Sequence, residues 1–413
     1  MQKRIAMLSM HTCPLAYEEG KETGGMNVYV MQLSQALSKV GYTIDIYTRL
    51  QSKKLPRIVV INNHLRVIHI EDGPEHTPKK QLIDHVSTFA KNVTAYMEKE
   101  KLSYNLIHAH YYLSALAGIE IKKQHNMPLL VNFHTLAIMK NLVARSELER
   151  EETRRIEAEI YVSQEADHII APSETDKEYL FYLYNIAKEK ITVIHPGVDT
   201  TLFRPLEKDT ARAYIHAEKD HKIILFVGRI EPLKGIDSLL YAVKILLKKH
   251  AQANICLLIV GGDITQKPKE WSKELQKLEE LRRVLNITSA VTFVGQKSQT
   301  ELPYYYNASD VVVMPSHYES FGMSALEAIA CGTPVITTNV TGIATLIDKQ
   351  YRKFVVPANS PLLLASQIET TLFDNNQEEV RRQLVEHMQN FQWNTVVKKM
   401  TAVYTKLIPS YGK

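Results

Sequence analysis

Cysteine is scarce in this 413-residue chain: Cys13, Cys256 and Cys331 are scattered, odd in number and without metal-ligand spacing. That excludes a disulfide framework and points to buried or unpaired thiols in a reducing, cytoplasmic setting. Long apolar runs are missing as well. No stretch approaches the roughly 18 residues of a membrane span, and Met1-Gln2-Lys3-Arg4 leads only into a short apolar run ending at Met10, so neither a signal peptide nor a transmembrane segment is expected. There is no Asp-x-Asp pair and no other carboxylate cluster suited to a phosphate-bridging divalent cation, so no metal site and no cofactor are expected. Strong charge of one sign is lacking too. A net charge of +5 and a pI near 8.8 suit phosphorylated ligands, or nothing beyond a mildly basic surface, and fall short of a nucleic-acid binder's footprint.

What is present is material for two cores, with 45% hydrophobic and 23% charged residues. Short β-branched runs alternate with helical periodicity throughout, which predicts an α/β chain with parallel sheets. The first run, Arg4 to Met10, is followed by a polar loop ending in Thr23-Gly24-Gly25-Met26-Asn27-Val28-Tyr29-Val30, a helix to Val40 stopped by Gly41, and a strand from Thr43 to Tyr47. The glycines stand well beyond the strand and form no G-x-G-x-x-G, which disfavours a nicotinamide oxidoreductase. Gly24 and Gly25 could still bring backbone N–H groups to a phosphate, or simply make a tight turn. His195-Pro196-Gly197-Val198-Asp199, with Phe203-Arg204-Pro205, carries turn punctuation and marks an interdomain linker.

One stretch concentrates the chemistry. Asp310 to Met314 and Pro334 to Thr338 read as strands, so Pro315 to Glu327 between them is a loop opening onto a helix. In an open parallel sheet, ligands bind where a strand's carboxyl end meets the next helix. Gly322, Met323 and Ser324 offer N–H groups to an anion such as a diphosphate. Glu319 on the loop and Glu327 about one and a half turns into the helix could each accept hydrogen bonds from a pair of hydroxyls. The same residues also fit an ordinary solvated helix glutamate and an N-terminal charge favoured by the helix dipole.

Other strand ends repeat the pattern. His110, His134, Thr135 and Ser173 close strands of the first half and should share one sheet edge, although any single histidine there could be purely structural. Arg145 to Glu159 is dense in both charges and reads first as a solvated helix face. In the second half, Lys222 to Arg229 is a strand, and Lys234-Gly235 precedes a helix from Ile236 to Lys249. Two cations beside helix amino termini, Arg229 and Lys234, make a diphosphate clamp, or alternatively an ion-paired arginine and an exposed turn lysine.

Together these motifs resemble the retaining GT-B glycosyltransferases of family 4 over nearly the whole length. The resemblance rests on Gly24-Gly25-Met26-Asn27-Val28-Tyr29-Val30, Phe133-His134-Thr135-Leu136, His195-Pro196-Gly197-Val198-Asp199, Val227-Gly228-Arg229 with Lys234-Gly235, and Glu319 and Glu327 in an E-x7-E arrangement. Its nearest subgroup includes the sucrose-phosphate synthases, to which Arg154-Arg155-Ile156-Glu157-Ala158-Glu159 is similar. It also includes the inositol-phosphate N-acetylglucosaminyltransferases, to which His108-Ala109-His110-Tyr111-Tyr112-Leu113-Ser114 is similar. The implied fold is two Rossmann-like domains facing a central cleft: an acceptor domain at 1–198, a nucleotide-sugar domain at 199–390, and a helix at 391–413 crossing back to the first.

The implied catalytic residues are His134, Arg229, Lys234 and Glu319. Arg229 and Lys234 would hold the leaving diphosphate, Glu327 the ribose, and Glu319 with Phe321, Gly322 and Met323 the donor sugar. Gly24 and Gly25 would take a phosphate from the other domain, and His134 would line the face from which the acceptor attacks. Asn27, Lys79, Tyr111, Thr135, Arg154 and Arg155 would surround a phosphorylated acceptor. The implied reaction moves a hexosyl group from a nucleotide sugar, a UDP-sugar favoured, to a small phosphorylated polyol or sugar, without metal or cofactor and with a homodimer left open. A sugar-nucleotide epimerase of the same fold, and a transferase acting on a lipid-linked acceptor at a membrane surface, are the rival readings. One departure from the family pattern is Asp348 to Lys353, which replaces an Asp-Gly loop.

Overall fold

The computed structural model describes residues 3–15, 24–75, 77–340, 342–346 and 354–408. The chain forms two compact units, one of Met1–Leu142, Arg150–Pro196 and Trp393–Lys413, the other of Val143–Glu149 and Gly197–Gln392. These limits differ from the sequence expectation of 198 and 390, and for identifiable reasons. Val198 packs in the second unit's core, and its N–H donates to the Phe391 carbonyl at 2.8 Å. Arg145 reaches Asp237 at 2.6 Å and the Pro232 carbonyl at 3.2 Å, which fixes its short segment to the second unit.

In the first unit the strands are β1 (Arg4–Leu8), β2 (Thr43–Arg49), β3 (Ile58–Asn62), β4 (Leu65–Ile70), β5 (Leu106–His110), β6 (Leu129–Asn132), β7 (His168–Ala171) and β8 (Ile191–Val193). Its helices are α1 (Gly25–Lys39), α2 (Val86–Lys99), α3 (Tyr112–His125), α4 (Ala137–Val143), α5 (Thr153–Glu165) and α6 (Glu174–Tyr184). The sheet order is β3-β4-β2-β1-β5-β6-β7-β8, parallel except for the β3–β4 pair. Chain order reverses direction between β1 and β5, so the loops after these two strands flank the topological switch point, where crevices open in such sheets. Asn126 and Asn185 end α3 and α6 in the left-handed conformation that asparagine tolerates.

The second unit contains α7 (Lys208–Tyr214), β9 (Lys222–Val227), α8 (Ile236–Lys249), β10 (Ile255–Val260), α9 (Lys273–Val284), β11 (Val291–Gly295), α10 (Leu302–Ala308) and β12 (Val311–Met314). It continues with α11 (Met323–Ala330), β13 (Val335–Thr338), α12 (Gly342–Leu346), β14 (Val355–Val356), α13 (Pro361–Leu372) and α14 (Gln377–His387). The sheet order is β11-β10-β9-β12-β13-β14, all parallel, with the switch between β9 and β12. Ile223, Ile224, Leu225 and Phe226 of β9 are fully buried, each worth roughly 1.5–3 kcal/mol of transfer free energy. That burial on both faces explains why this strand reads as a continuous apolar run. The last helix, α15 (Trp393–Leu407), belongs to the first unit and buries Trp393, Met400 and Tyr404 there. Among the described residues, no helix is long and apolar enough to cross a membrane. The Asp348 to Lys353 segment lies outside the described residues.

Candidate active site

In the second unit, the loops after β9 and β12 are stitched together at the switch point. The His317 N–H donates to the Leu233 carbonyl at 2.8 Å, and Gly235 adopts φ +63° with so little room that a Cβ there would collide with the Pro315 carbonyl oxygen. Only glycine permits this approach. It delivers Lys234 to Glu319, and the two form a direct, half-buried ion pair. Arg229 pairs with Glu231 at 2.8 Å in a more exposed position. Gly322, at φ +99°, turns the chain into α11, whose first turn carries no acidic side chain and begins at Met323. The first-turn N–H groups of this helix carry the positive end of its dipole at the carboxyl edge of the sheet, on the loop that also holds Glu319.

Glu327 is not the solvated helix residue that its sequence position allowed. It is almost fully buried, and Tyr306 of α10 donates a 2.7 Å hydrogen bond to its Oε2. Burial pushes the carboxyl up to about 7, against the opposing hydrogen bonds of Tyr306 and Gln299.

In the first unit, the site residues gather on Tyr111. This residue sits just beyond β5 with φ +76°, a strained value for a bulky side chain. Lys79 Nζ lies 4.8 Å from its ring centroid and the Arg155 guanidinium carbon 5.0 Å, while His11 stacks on it at 4.3 Å. Arg155 Nη2 donates to Thr135 Oγ1 at 3.1 Å. Asn27 is buried: its Oδ1 accepts from Thr12 Oγ1 at 2.8 Å and its Nδ2 donates to the Cys13 carbonyl at 3.2 Å, so its amide anchors the loop before α1. Gly24 is the N-cap of α1 and Gly25 its first residue, and the first turn carries no acidic side chain.

Three sequence expectations need correction here. Arg154 and Arg155 do not share a face of their helix, because neighbours on a helix diverge by about 100°. Arg154 is exposed and bound to Asp84 at 2.6 Å, whereas Arg155 is buried. Nor is the Arg155 guanidinium an open fork. Its Nε meets Glu159 at 2.8 Å and its Nη1 meets Glu151 at 2.8 Å, so the segment expected to be a solvated face is partly core. Ser173, finally, has a structural task, capping α6 by accepting from the Asp176 N–H at 3.1 Å.

His134 follows β6 with φ +63° and is half-buried. Its Nε2 lies 2.9 Å from His110 Nδ1, and His110 in turn stacks on His108 at 4.4 Å. Burial, with a smaller contribution from His108, lowers His134 to about 3, and burial lowers His108 to about 4. All three rings, His110 included, are therefore neutral at physiological pH.

Comparison with known proteins resolves the class. Residues 207–391 match the family described as glycosyl transferases group 1, and residues 23–202 match glycosyltransferase family 4. D-inositol 3-phosphate glycosyltransferase 2 from Catenulispora acidiphila is 34% identical over 414 positions, covering 99% of this chain and 96% of that protein. The chain is a family 4 glycosyltransferase. A second relative, D-inositol 3-phosphate glycosyltransferase from Corynebacterium efficiens, is 32% identical over 98% of this chain and 95% of its own length. Sucrose-phosphate synthase from Thermosynechococcus elongatus superposes with a TM-score of 0.88 at 30% identity, covering 99% of this chain and 100% of that one. The fold of the transferase is thus GT-B, with two Rossmann-like α/β units.

Some residues of the transferase's sites escaped the sequence reading. Tyr306 lies in a Tyr304-Tyr305-Tyr306 run with no periodic or motif signal. His108 could have been found, since residues two apart on a strand share a face and His108 therefore accompanies His110.

Proposed function

We propose that this transferase moves a hexosyl group, with retention, from a nucleotide sugar to a hydroxyl of a small phosphorylated polyol or sugar, a UDP-sugar being the favoured donor. The observation that carries the acceptor class is the convergence of Lys79 and Arg155 on Tyr111, with Thr135 bonded to Arg155. A lysine point charge with an arginine edge and a hydroxyl suits a phosphate dianion, which would replace Thr135 as the partner of Arg155 Nη2. The glutamates paired with Arg155 preorganise it for that exchange. Names of relatives support the same class: two of them act on an inositol phosphate.

On the donor side, Arg229, Lys234 and the start of α11 would take the charge developing on the leaving diphosphate, the term that dominates when a preformed site meets a departing anion. Glu319, freed from Lys234 by the diphosphate, would turn to donor-sugar hydroxyls, and Glu327 would hold the ribose. Retention is supported by the resemblance of the Glu319 and Glu327 spacing to the retaining family's motif.

Incubating the protein with UDP-glucose, UDP-N-acetylglucosamine or ADP-glucose, with and without an inositol phosphate or a hexose phosphate, tests the reading. Nucleoside diphosphate release that requires a phosphorylated acceptor, with an axial anomeric linkage in the product, is the expected result. Equal use of unphosphorylated polyols would overturn it, as would a new sugar nucleotide formed without any acceptor.

A further inference from the structure

Around His134 lies a chain of ring contacts that begins at the C-terminal helix. The Tyr404 hydroxyl is 2.7 Å from His108 Nδ1, and His108 Nε2 is 2.7 Å from Asn132 Oδ1. An amide oxygen only accepts, so His108 carries its proton on Nε2 and takes the Tyr404 hydroxyl proton at Nδ1. His108 is thereby fixed in one tautomer, and His110 is stacked against it with no exposed surface. Tyr29 closes the group edge-on, 5.2 Å from His134, 5.8 Å from His110 and 5.5 Å from Trp393 of α15.

Within this group His110 is hydrogen-bonded to His134, and among the described residues His110 Nε2 has no partner. With both rings neutral, a single proton lies between His110 Nδ1 and His134 Nε2. If His134 donated it, the remaining proton of His110 would be a buried Nε2–H with nothing to receive it. Orphaned N–H groups of this kind are rarer in folded proteins than under-satisfied acceptors. The opposite arrangement leaves a bare Nε2 on His110 and puts the other proton of His134 on Nδ1, on a residue that is only half-buried.

We infer that His110 is a positioning residue: it donates Nδ1–H to His134 Nε2 and so makes His134 present an Nδ1–H donor to a substrate oxygen. This rests on the proposed function, which places His134 beside the reacting groups. The left-handed backbone at His134 and at Tyr111, one residue after His110, holds both rings where their turns would otherwise not put them. A ring held in one tautomer needs no reorganisation when charge shifts on the substrate. His110 itself touches no substrate in this arrangement.

Long-range 1H–15N spectra of the full-length protein with 15N-labelled histidine test the inference, the His134 signals being assigned with His134→Gln. The expected result is His134 protonated on Nδ1 in the unmutated protein. His110→Leu should yield a mixture of tautomers and lower kcat about tenfold or more, the scale for losing an outer-shell partner of a histidine. The KM for a phosphorylated acceptor should change less than about twofold on the same grounds. His110→Asn, whose amide can still donate, should restore both the tautomer and most of kcat. A His134 proton on Nε2 in the unmutated protein would overturn the inference, as would a His110→Leu variant with parental tautomer and kcat. Should His110→Leu fail to fold, the parental spectrum decides alone. Parental turnover by His134→Ala would overturn the role given to His134 while leaving the tautomer to be judged by that spectrum.

Discussion

Lys234 and Glu319 form an ion pair across the loops that follow β9 and β12. In the proposed function a diphosphate would take Lys234 and a donor sugar Glu319, so donor binding would separate them. Replacing Lys234 or Arg229 by Ala should each cost about 3 kcal/mol of transition-state stabilisation, or roughly a hundredfold in kcat/KM, the scale of losing one preorganised donor. Glu319→Gln should act with two signs: turnover falls, while the nucleoside diphosphate product binds more tightly because Lys234 is no longer engaged. Steady-state kinetics and calorimetric titration with nucleoside diphosphates check both. Less than threefold loss in both alanine variants would remove these residues from the leaving-group role.

Burial pushes the Glu327 carboxyl up to about 7, so the folded protein binds this proton more tightly than the unfolded chain does. Below the unfolded value near 4.3 both states are protonated and the group costs nothing. As pH rises from there toward about 7, stability should fall, and above about 7 the full penalty remains, on the order of 3 kcal/mol. Glu327→Gln removes the titrating group and should flatten that slope. Denaturant titrations of both proteins at pH 5, 6, 7 and 8 provide the difference. Parallel stability profiles would show that Glu327 stays ionised throughout. Tyr306→Phe removes a donor that favours the ionised form, so it should shift the window to higher pH and raise the donor KM at neutral pH.

The parts of this structure that were legible in the sequence are those set by local pattern. α8 could be delimited from apolar periodicity and its flanking Gly235, α15 from periodicity, and Glu319, Gly322 and Glu327 could be placed on a loop, a turn and a helix because the neighbouring runs were too short and too β-branched to be anything but strands. What the pattern could not convey was which polar atoms face inward. Glu327 and Arg155 both look like surface residues of charged or mixed helices. Each is buried only because a distant group receives it: Tyr306 for the first, Glu159 and Thr135 for the second. The divergence of Arg154 from Arg155 follows from helix geometry once α5 is known to include both. The attachment of Val143–Glu149 to the second unit depends on Arg145 finding Asp237, a pairing across 92 positions that no local rule encodes.

Phosphate handling by side chains alone leads to a third prediction. The chain has no Asp-x-Asp pair, and in the proposed donor site Arg229, Lys234 and the start of α11 would supply the positive potential. Activity should therefore survive chelation: initial rates in excess EDTA should stay within about twofold of those with magnesium, since a metal clamp contributes several kcal/mol where it is used. Complete inactivation by EDTA, reversed by magnesium or manganese, would refute it.

The acceptor cluster separates binding from folding in a way that two variants can reveal. Arg155 is buried with Glu151 and Glu159 on its Nη1 and Nε, so Arg155→Ala leaves the buried Glu159 without its cation, while Glu151 keeps Lys140. Breaking a buried pair by removing one partner costs about 3–5 kcal/mol, and Arg155→Ala should accordingly lower the unfolding midpoint as well as acceptor affinity. Lys79 is different. Its ammonium lies over the Tyr111 ring from an exposed position, and such a cation–π contact is worth about 0.5–1 kcal/mol. Lys79→Ala should leave the midpoint almost unmoved, yet raise the KM for a phosphorylated acceptor at least tenfold, because a charge-assisted bond to a phosphate is worth about 1.5–3 kcal/mol. Slow hydrolysis of the nucleotide sugar without acceptor should be the same in Lys79→Ala as in the parent, since Lys79 takes no part in holding the donor. A Lys79→Ala enzyme with parental acceptor KM would take Lys79 out of the acceptor site. Thermal melts beside acceptor kinetics for the two variants distinguish an arginine that builds the site from a lysine that only binds.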